Sequence, residues 1–291
     1  MAVYQHTYQQ YAGPTTSLRS RFLILPRYAF QGVFQSKIFT VLFVICFLPL
    51  LIETIIIYLH HNVSFLEGFQ IKASDLLQIN AGFFRWSLFF QGLFAFLLTV
   101  IIGPVLISRD LANNALPLYL CRPLSRVEYV VGKMSAVIIL LSAMTWIPLL
   151  LLFFFQAYLV GSVWLWENLY IAGAIIGISG TGILLFALLS VALSAWVKWR
   201  IAASGAFFAV FVIPTPITIM LNEMFRTYLG TLLHPGFLLN ILMDKLFRLE
   251  SSGMPDWMVP PTWSIWASLI ILALLCVGLL SLKVRAYEVV K

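Results

Sequence analysis

The sequence predicts an all-α integral membrane protein with six transmembrane helices and both termini in the cytoplasm. The first observation is composition: 62% of the 291 residues are hydrophobic and only 10% are charged, whereas a soluble domain is about 45–50% apolar. The second is a set of six apolar stretches near the length of about 20 residues that crosses a bilayer. The third is a charge imbalance between the two sides of those stretches. Together they exclude a soluble enzyme, a disordered chain and a DNA-binding module.

The six apolar stretches define the expected spans. They cover residues 38–59, 84–107, 134–160, 170–197, 205–221 and 263–282. Proline inside a span removes a backbone hydrogen bond, so kinks are expected at Pro49, Pro104, Pro148 and the Pro214/Pro216 pair. The longest segment between spans is the external loop 222–262, which is too short for an independent soluble domain. We therefore treat residues 1–291 as a single membrane domain.

Orientation follows from the basic residues, because cytoplasmic loops are enriched in lysine and arginine. With the N-terminus inside, the cytoplasmic side has 13 of the 18 basic residues and three acidic ones, and the outer side has five basic and seven acidic residues. The net charge of +7 is therefore a topology signal and predicts no nucleic-acid partner. The expected location is a bacterial plasma membrane, with a multi-pass chain in contact with the lipid bilayer.

Two segments outside the spans have amphipathic patterns. Residues 25–38 predict a short interfacial helix on the cytoplasmic surface, although an ordinary polar lead-in is the alternative. Between the fifth and sixth spans, Asn240, Asp244 and Arg248 recur on one face of residues 237–249, opposite a stripe of leucines. This pattern predicts an amphipathic segment on the outer side, either a gate or a packed external cap.

The cytoplasmic loop 108–133 combines apolar and basic residues in an unusual order. Asp110 can begin a short helix whose leucines face the cytoplasm, and apolar side chains there indicate a docking surface. Arg122 precedes Pro123 and is therefore extended or in a turn, and Ser125 can cap the helix that leads into the third span. A plain connecting loop is the alternative.

The loop resembles that of the transmembrane subunits of type 2 ABC exporters, the ABC-2 permeases. The matching residues are Asp110, Leu116, Leu118, Arg122, Pro123, Ser125, Arg126, Tyr129, Gly132 and Lys133. The sequence departs from the family pattern at residues 114–117, where Asn-Ala-Leu-Pro replaces the usual Thr-Leu pair.

This resemblance implies a permease that pairs with a second copy of itself and with two separate cytoplasmic ATPase subunits, which would hold ATP and Mg²⁺. It implies export through a path between the two permeases. The coupling residues would be Asp110, Leu111, Asn113, Asn114, Ala115, Leu116, Leu118, Arg122, Pro123 and Arg126. Independently, Gly132-Lys133 is followed by Met134 and lacks the preceding glycine of a phosphate loop, so the energy source is expected in another chain.

Within the membrane, Glu53 is the only acidic residue well inside a span, and such a carboxylate is a functional candidate. Two interpretations stay open: a translocation path or gate, or an ion pair with Arg85. Gln91 can line a polar path or hydrogen-bond a neighbouring helix, and Gly173 and Gly177 are spaced for helix packing. No catalytic residue and no metal site is predicted.

Two other function classes stay open. An intramembrane lipid-modifying enzyme would need at least two polar catalytic groups at one depth in the membrane. In the predicted spans, Glu53 is the only residue that qualifies. A carrier that works without an ATPase would use the carboxylate of Glu53 to move protons. Transport in the absence of any ATPase would distinguish this carrier from the exporter.

Overall fold

The computed structural model describes residues 24–62, 78–112, 126–197, 199–250 and 255–283. Every regular element in these ranges is a helix, and six of the helical segments are long and apolar enough to cross a membrane. In chain order these first to sixth spans are Lys37–His61, Ala81–Gly103, Val127–Val160, Leu169–Trp196, Arg200–Phe225 and Asp256–Lys283. The predicted fold class, an all-α protein with six membrane-spanning helices, is confirmed at this level.

Some spans consist of two helices. The first contains Lys37–Ile45 and Leu48–His61, the third Arg126–Met144 and Trp146–Val160, and the fifth Arg200–Val212 and Pro214–Phe225. The second, fourth and sixth contain the single helices Ala81–Ala112, Leu169–Trp196 and Thr262–Lys283. The remaining helices are Ile24–Phe34, Ser162–Glu167 and Pro235–Leu246, with short 3-10 turns at Thr231–Leu233 and Asp256–Met258.

Three of the helix breaks lie directly before a proline that marks an expected kink. They fall at residues 46–47, at Thr145 and at Ile213, ahead of Pro49, Pro148 and Pro214. Proline fits the first turn of a new helix because it needs no backbone donor there. The second span is different, since its helix continues through Pro104 without interruption.

The fifth span is longer than the stretch 205–221 that hydropathy selects, because its polar residues find partners. Thr218 Oγ1 donates to the carbonyl of Gly230 at 3.1 Å, and Asn222 Nδ2 donates to Thr231 Oγ1 at 2.7 Å. The Asn222 carbonyl oxygen accepts from the amide of Gly230 at 2.8 Å. These bonds satisfy polar groups that would otherwise face an apolar surrounding, so the helix extends to Phe225.

The fourth span is the centre of the bundle. It is 61% buried, against 11% for the fifth span, and it packs along the second, third, fifth and sixth spans. It lies close to the second span at Gly103, where an added methyl carbon would lie 2.4 Å from Ser190 Cβ. Of the two glycines expected at a helix contact, nothing lies within 4 Å of such a carbon at Gly173, whereas at Gly177 it would lie 3.6 Å from Leu246 Cδ1 of helix 235–246.

The two ends of the bundle are built from different elements. The loop end is where Ala112 and Arg126 lie, and the N-terminal helix Ile24–Phe34 packs there against the helix that starts at Arg126. The far end is where Ala81 and helix 235–246 lie, and that helix packs against the second, fourth and sixth spans.

Candidate functional site

At the loop end, three side chains join the second span to the third. Tyr129 Oη donates to Asp110 Oδ2 at 2.7 Å, and Lys133 Nζ lies 2.8 Å from the same oxygen. Tyr129 and Lys133 are four residues apart on one helix and so share a face, and the Tyr129 side chain is fully buried. Bonds to an ionised carboxylate are stronger than neutral ones. We call Asp110, Tyr129 and Lys133 the loop clamp.

The loop clamp contains one of the predicted coupling residues, Asp110. Leu111 lies in the helix that ends at Ala112, and Arg126 begins the next helix. The other predicted coupling residues, Asn113, Asn114, Ala115, Leu116, Leu118, Arg122 and Pro123, lie outside the described residues. The carboxylate of Asp110 is therefore engaged within the protein, where it fixes the two helix ends on either side of residues 113–125.

A second polar group of side chains lies between the first and second spans. Ser87 Oγ donates to the carboxylate of Glu53, and Gln91 Nε2 donates to the carbonyl of Cys46 at 3.1 Å, beside the helix break. The side-chain oxygen of Gln91 is buried without a hydrogen-bond partner among the described residues, which is costly in an apolar interior. We call Cys46, Glu53, Ser87 and Gln91 the polar cluster.

Arg85 has a different partner from the one the sequence suggested. Its Nε donates to Asp244 Oδ1 at 2.7 Å and its Nη2 to Asn240 Oδ1 at 2.8 Å. Arg85 is 6% exposed and Asp244 2%, so this is a buried ion pair between the second span and helix 235–246. The expected pair between Glu53 and Arg85 is wrong. Residues 85 and 87 lie about 200° apart around a helix, so Ser87 faces the first span while Arg85 faces away from it.

His234 joins helix 235–246 to the fifth span. Its Nδ1 accepts from the amide of Phe237 at 3.0 Å, and its Nε2 lies 2.9 Å from Thr215 Oγ1. Because Nδ1 accepts, the proton of the neutral ring is on Nε2, and Thr215 in turn donates to the carbonyl of Phe211 at 3.2 Å. Burial lowers the pKa of His234, although backbone hydrogen bonds oppose the shift. The neutral ring therefore serves as the N-cap of the helix.

Sequence reasoning identified some of these residues and missed others. Asp244 and Asn240 were placed on one polar face, but not against Arg85, and neither Ser87 nor His234 was selected. A signal for the ion pair was present, because Arg85 stands in an apolar stretch and a buried guanidinium requires a partner. The sequence offers several acidic candidates for that partner, and only packing selects Asp244.

Comparison with known proteins matches this sequence to a family of membrane proteins. A family model described as ABC-2 family transporter protein matches residues 3–289. No curated protein matches the chain. The family match includes all six spans, the loop clamp, the polar cluster and helix 235–246.

Proposed function

The chain belongs to the ABC-2 family of transporter proteins, and from this premise we propose that it is the permease subunit of an ATP-driven exporter. Two copies form the translocation path between them, and each binds a separate cytoplasmic ATPase subunit. The ATPase subunits hold ATP and Mg²⁺. In this proposal the loop end faces the cytoplasm, as the distribution of basic residues indicates.

The loop clamp is the observation that carries the proposal. A surface loop transmits force to membrane helices only if it is connected to them through packed or ion-paired groups. Asp110 on the second span and Lys133 on the third lie 2.8 Å apart, so the helix ends that flank residues 113–125 move together. A push on the docking residues by an ATPase would therefore reach the second and third spans at once. The third span contains a helix break at Thr145.

A replacement of the docking residues that leaves the loop clamp intact tests whether the loop binds an ATPase. Residues 111–118 are replaced by a Gly/Ser linker with Asp110, Tyr129 and Lys133 left intact, and the tagged chain is purified from its native membranes. We expect the variant to fold but to lose the ATPase that co-purifies with the wild-type chain, together with its ATP hydrolysis. The matched control replaces residues 251–254, which follow helix 235–246, and retains both. Unchanged ATPase association in the 111–118 variant would contradict the coupling role.

We propose that the transported substrate, the cargo, contacts the polar cluster. Glu53 is partly exposed on the first span, with the apolar residues Leu51, Ile52 and Ile55 exposed around it. Gln91 adds a buried oxygen that has no hydrogen-bond partner in the part of the chain that the structure describes. Glu53→Gln keeps an acceptor for Ser87 but removes the charge, whereas Glu53→Leu removes both. If the cluster lines the path, the ATPase activity of the assembled complex responds to cargo less in Glu53→Leu than in Glu53→Gln.

A carrier that needs no ATPase is tested in the same preparation. The purified chain is reconstituted into proteoliposomes without any ATPase subunit, and uptake or release is followed under an imposed proton gradient. The exporter proposal expects no transport under these conditions. Transport that requires Glu53 would favour the carrier.

A further inference from the structure

A large cavity that is open to the surface on one side is formed by this single chain under helix 235–246, with Leu93 and Val212 exposed at its edge. Its volume is about 460 Å³, and its walls come from the second, third, fourth and fifth spans and from helix 235–246. Aromatic side chains form much of the wall, among them Phe96, Phe186 and Phe211. Among the described residues that line it, none has a formal charge, and its polar side chains are those of Thr145, Ser179, His234 and Asn240.

Two glycines on facing spans leave the space open. Gly92 of the second span and Gly182 of the fourth both line the cavity, and a methyl carbon added to either would meet no atom within 4 Å. Glycine in a membrane helix commonly allows a second helix to approach closely, as Gly103 does at Ser190. At Gly92 and Gly182 no described helix fills the space. The missing side chains therefore enlarge the cavity instead of closing a helix contact.

One polar side chain in the wall lacks a partner. Ser179, one turn before Gly182, is 6% exposed, and its hydroxyl has no hydrogen-bond partner among the described residues. The other polar side chains each have at least one bond: Thr145 donates to the carbonyl of Leu141, His234 bonds through both ring nitrogens, and the side-chain oxygen of Asn240 accepts from Arg85. The hydroxyl of Ser179 is thus a buried group available to an occupant.

We propose that the cavity binds one long apolar chain with a single uncharged hydrogen-bonding group, which lies at Ser179. Its volume falls in the range of about 300–1,000 Å³ that is typical of ligand pockets, and apolar cavities of far smaller size take up apolar molecules rather than water. A charged group would lose its hydration there without gaining a counter-ion. The site lies within one protomer and does not depend on the exporter proposal.

Photolabelling of the purified full-length protein in detergent micelles tests the proposal. The probe is hexadecanol with a diazirine and an alkyne on its chain, and the labelled peptides are mapped by mass spectrometry. We expect labelling of the segments 88–96 and 178–186. In Gly182→Leu the new side chain enters the cavity, and labelling falls about tenfold, as expected for a loss of apolar contact of one side chain. The matched control is Gly173→Leu, an exposed position on the same helix with equal free space, and it labels like wild type.

Two further variants keep the outcome decisive. Gly92→Leu fills the cavity from the opposite wall and is also expected to reduce labelling. If one of the two leucine variants does not fold, the other still tests the proposal. Ser179→Ala reduces labelling by the alcohol about threefold to tenfold, the size of one hydrogen bond, but leaves labelling by the matching hexadecane probe unchanged. If both leucine variants elute as folded protein and label like wild type, the proposal is overturned. Equal loss with both probes in Ser179→Ala overturns the role of Ser179.

The chain can come from a free amphiphile or from a bilayer lipid, and a third probe distinguishes them. A phosphatidylcholine with the same photoreactive chain labels the cavity segments only if a bilayer lipid can insert its tail. Labelling by both probes assigns the site to lipid tails in general. Labelling by the alcohol alone assigns it to a free single-chain ligand.

Discussion

At the scale of single residues, two side chains that are two positions apart on one helix have partners on different elements. Arg85 and Ser87 lie on different sides of the second span, and each satisfies a different partner, Asp244 and Glu53. At the far end, Gly230 and His234 each take part in a hydrogen bond between a backbone amide and a side chain. Both lie in the segment between Phe225 and Pro235, where hydrogen bonds to side chains replace those of a regular helix.

His234 is expected to make stability depend on pH. Burial lowers its pKa, so between its folded pKa and its usual value of about 6.5 the unfolded chain binds the proton and the folded chain does not. Its contribution is therefore fully present above about pH 6.5 and is lost as pH falls below that value. Thermal unfolding in micelles at about pH 7.5 and about pH 5.5 measures the effect. His234→Asn, an N-cap that does not titrate, reduces this pH difference; an identical pH dependence in both proteins would contradict the assignment.

Gly230 is expected to tolerate no side chain. A methyl carbon there would lie 2.6 Å from Asn222 Oδ1 and 2.8 Å from the carbonyl oxygen of Thr218, and both atoms are held by hydrogen bonds or backbone. Gly230→Ala should lower the free energy of unfolding by about 1–3 kcal/mol, the usual cost of overpacking. The control is Gly278→Ala on the sixth span, which has open space and should be neutral or stabilising by up to about 1 kcal/mol. Equal melting temperatures for the two variants would disprove the clash.

At the scale of elements, helix 235–246 is attached to the bundle at both ends. His234 caps its first turn against the fifth span, and near its end Asn240 and Asp244 meet Arg85 of the second span. Lys245 donates to the carbonyl of Pro260 at 2.5 Å, just before helix Thr262–Lys283 of the sixth span. Burial lowers the pKa of Lys245. The helix therefore connects three spans and also covers the cavity, so its position and the shape of the cavity are linked.

Breaking the ion pair between Arg85 and Asp244, which holds helix 235–246 to the second span, is expected to lower the stability of the protein strongly. Asp244→Asn leaves the buried guanidinium of Arg85 without a counter-ion, and breaking such a pair costs about 3–5 kcal/mol. Denaturant unfolding in micelles measures this loss. The double variant Arg85→Met/Asp244→Leu should recover most of it, because well-packed apolar residues commonly replace a buried pair. Asp256→Asn, at an exposed position, is the control. If Asp244→Asn unfolds like that control, the pair is not structural.

At the scale of the whole molecule, burial is unequal among the spans. The fourth span is 61% buried, whereas the first, fifth and sixth are 17%, 11% and 22% buried. The surfaces that remain are apolar, with Ile217, Met220 and Met224 exposed on the fifth span. Such surfaces contact lipid or a second protein chain, which agrees with the proposed pairing of two permeases.

This pairing predicts the size of the purified protein. Light scattering of the detergent-solubilised chain, corrected for bound detergent, should give a protein mass of twice 32.9 kDa. Dilution should leave the mass unchanged if the path lies between the copies. A mass of one chain at all concentrations, for protein that binds the ATPase when it is added afterwards, would contradict the dimer.

The six spans follow from the amino-acid sequence alone, because apolar stretches of that length have no stable alternative to a helix in lipid. The helix breaks were also foreseeable, since Pro49, Pro148 and Pro214 remove backbone donors. The partners of the buried polar groups, in contrast, depend on the fold: Arg85 meets Asp244 across 159 residues, Glu53 meets Ser87, and Ser179 faces an open cavity. Hydropathy fixes which residues leave water, whereas the pairing of buried groups depends on how the helices pack around them.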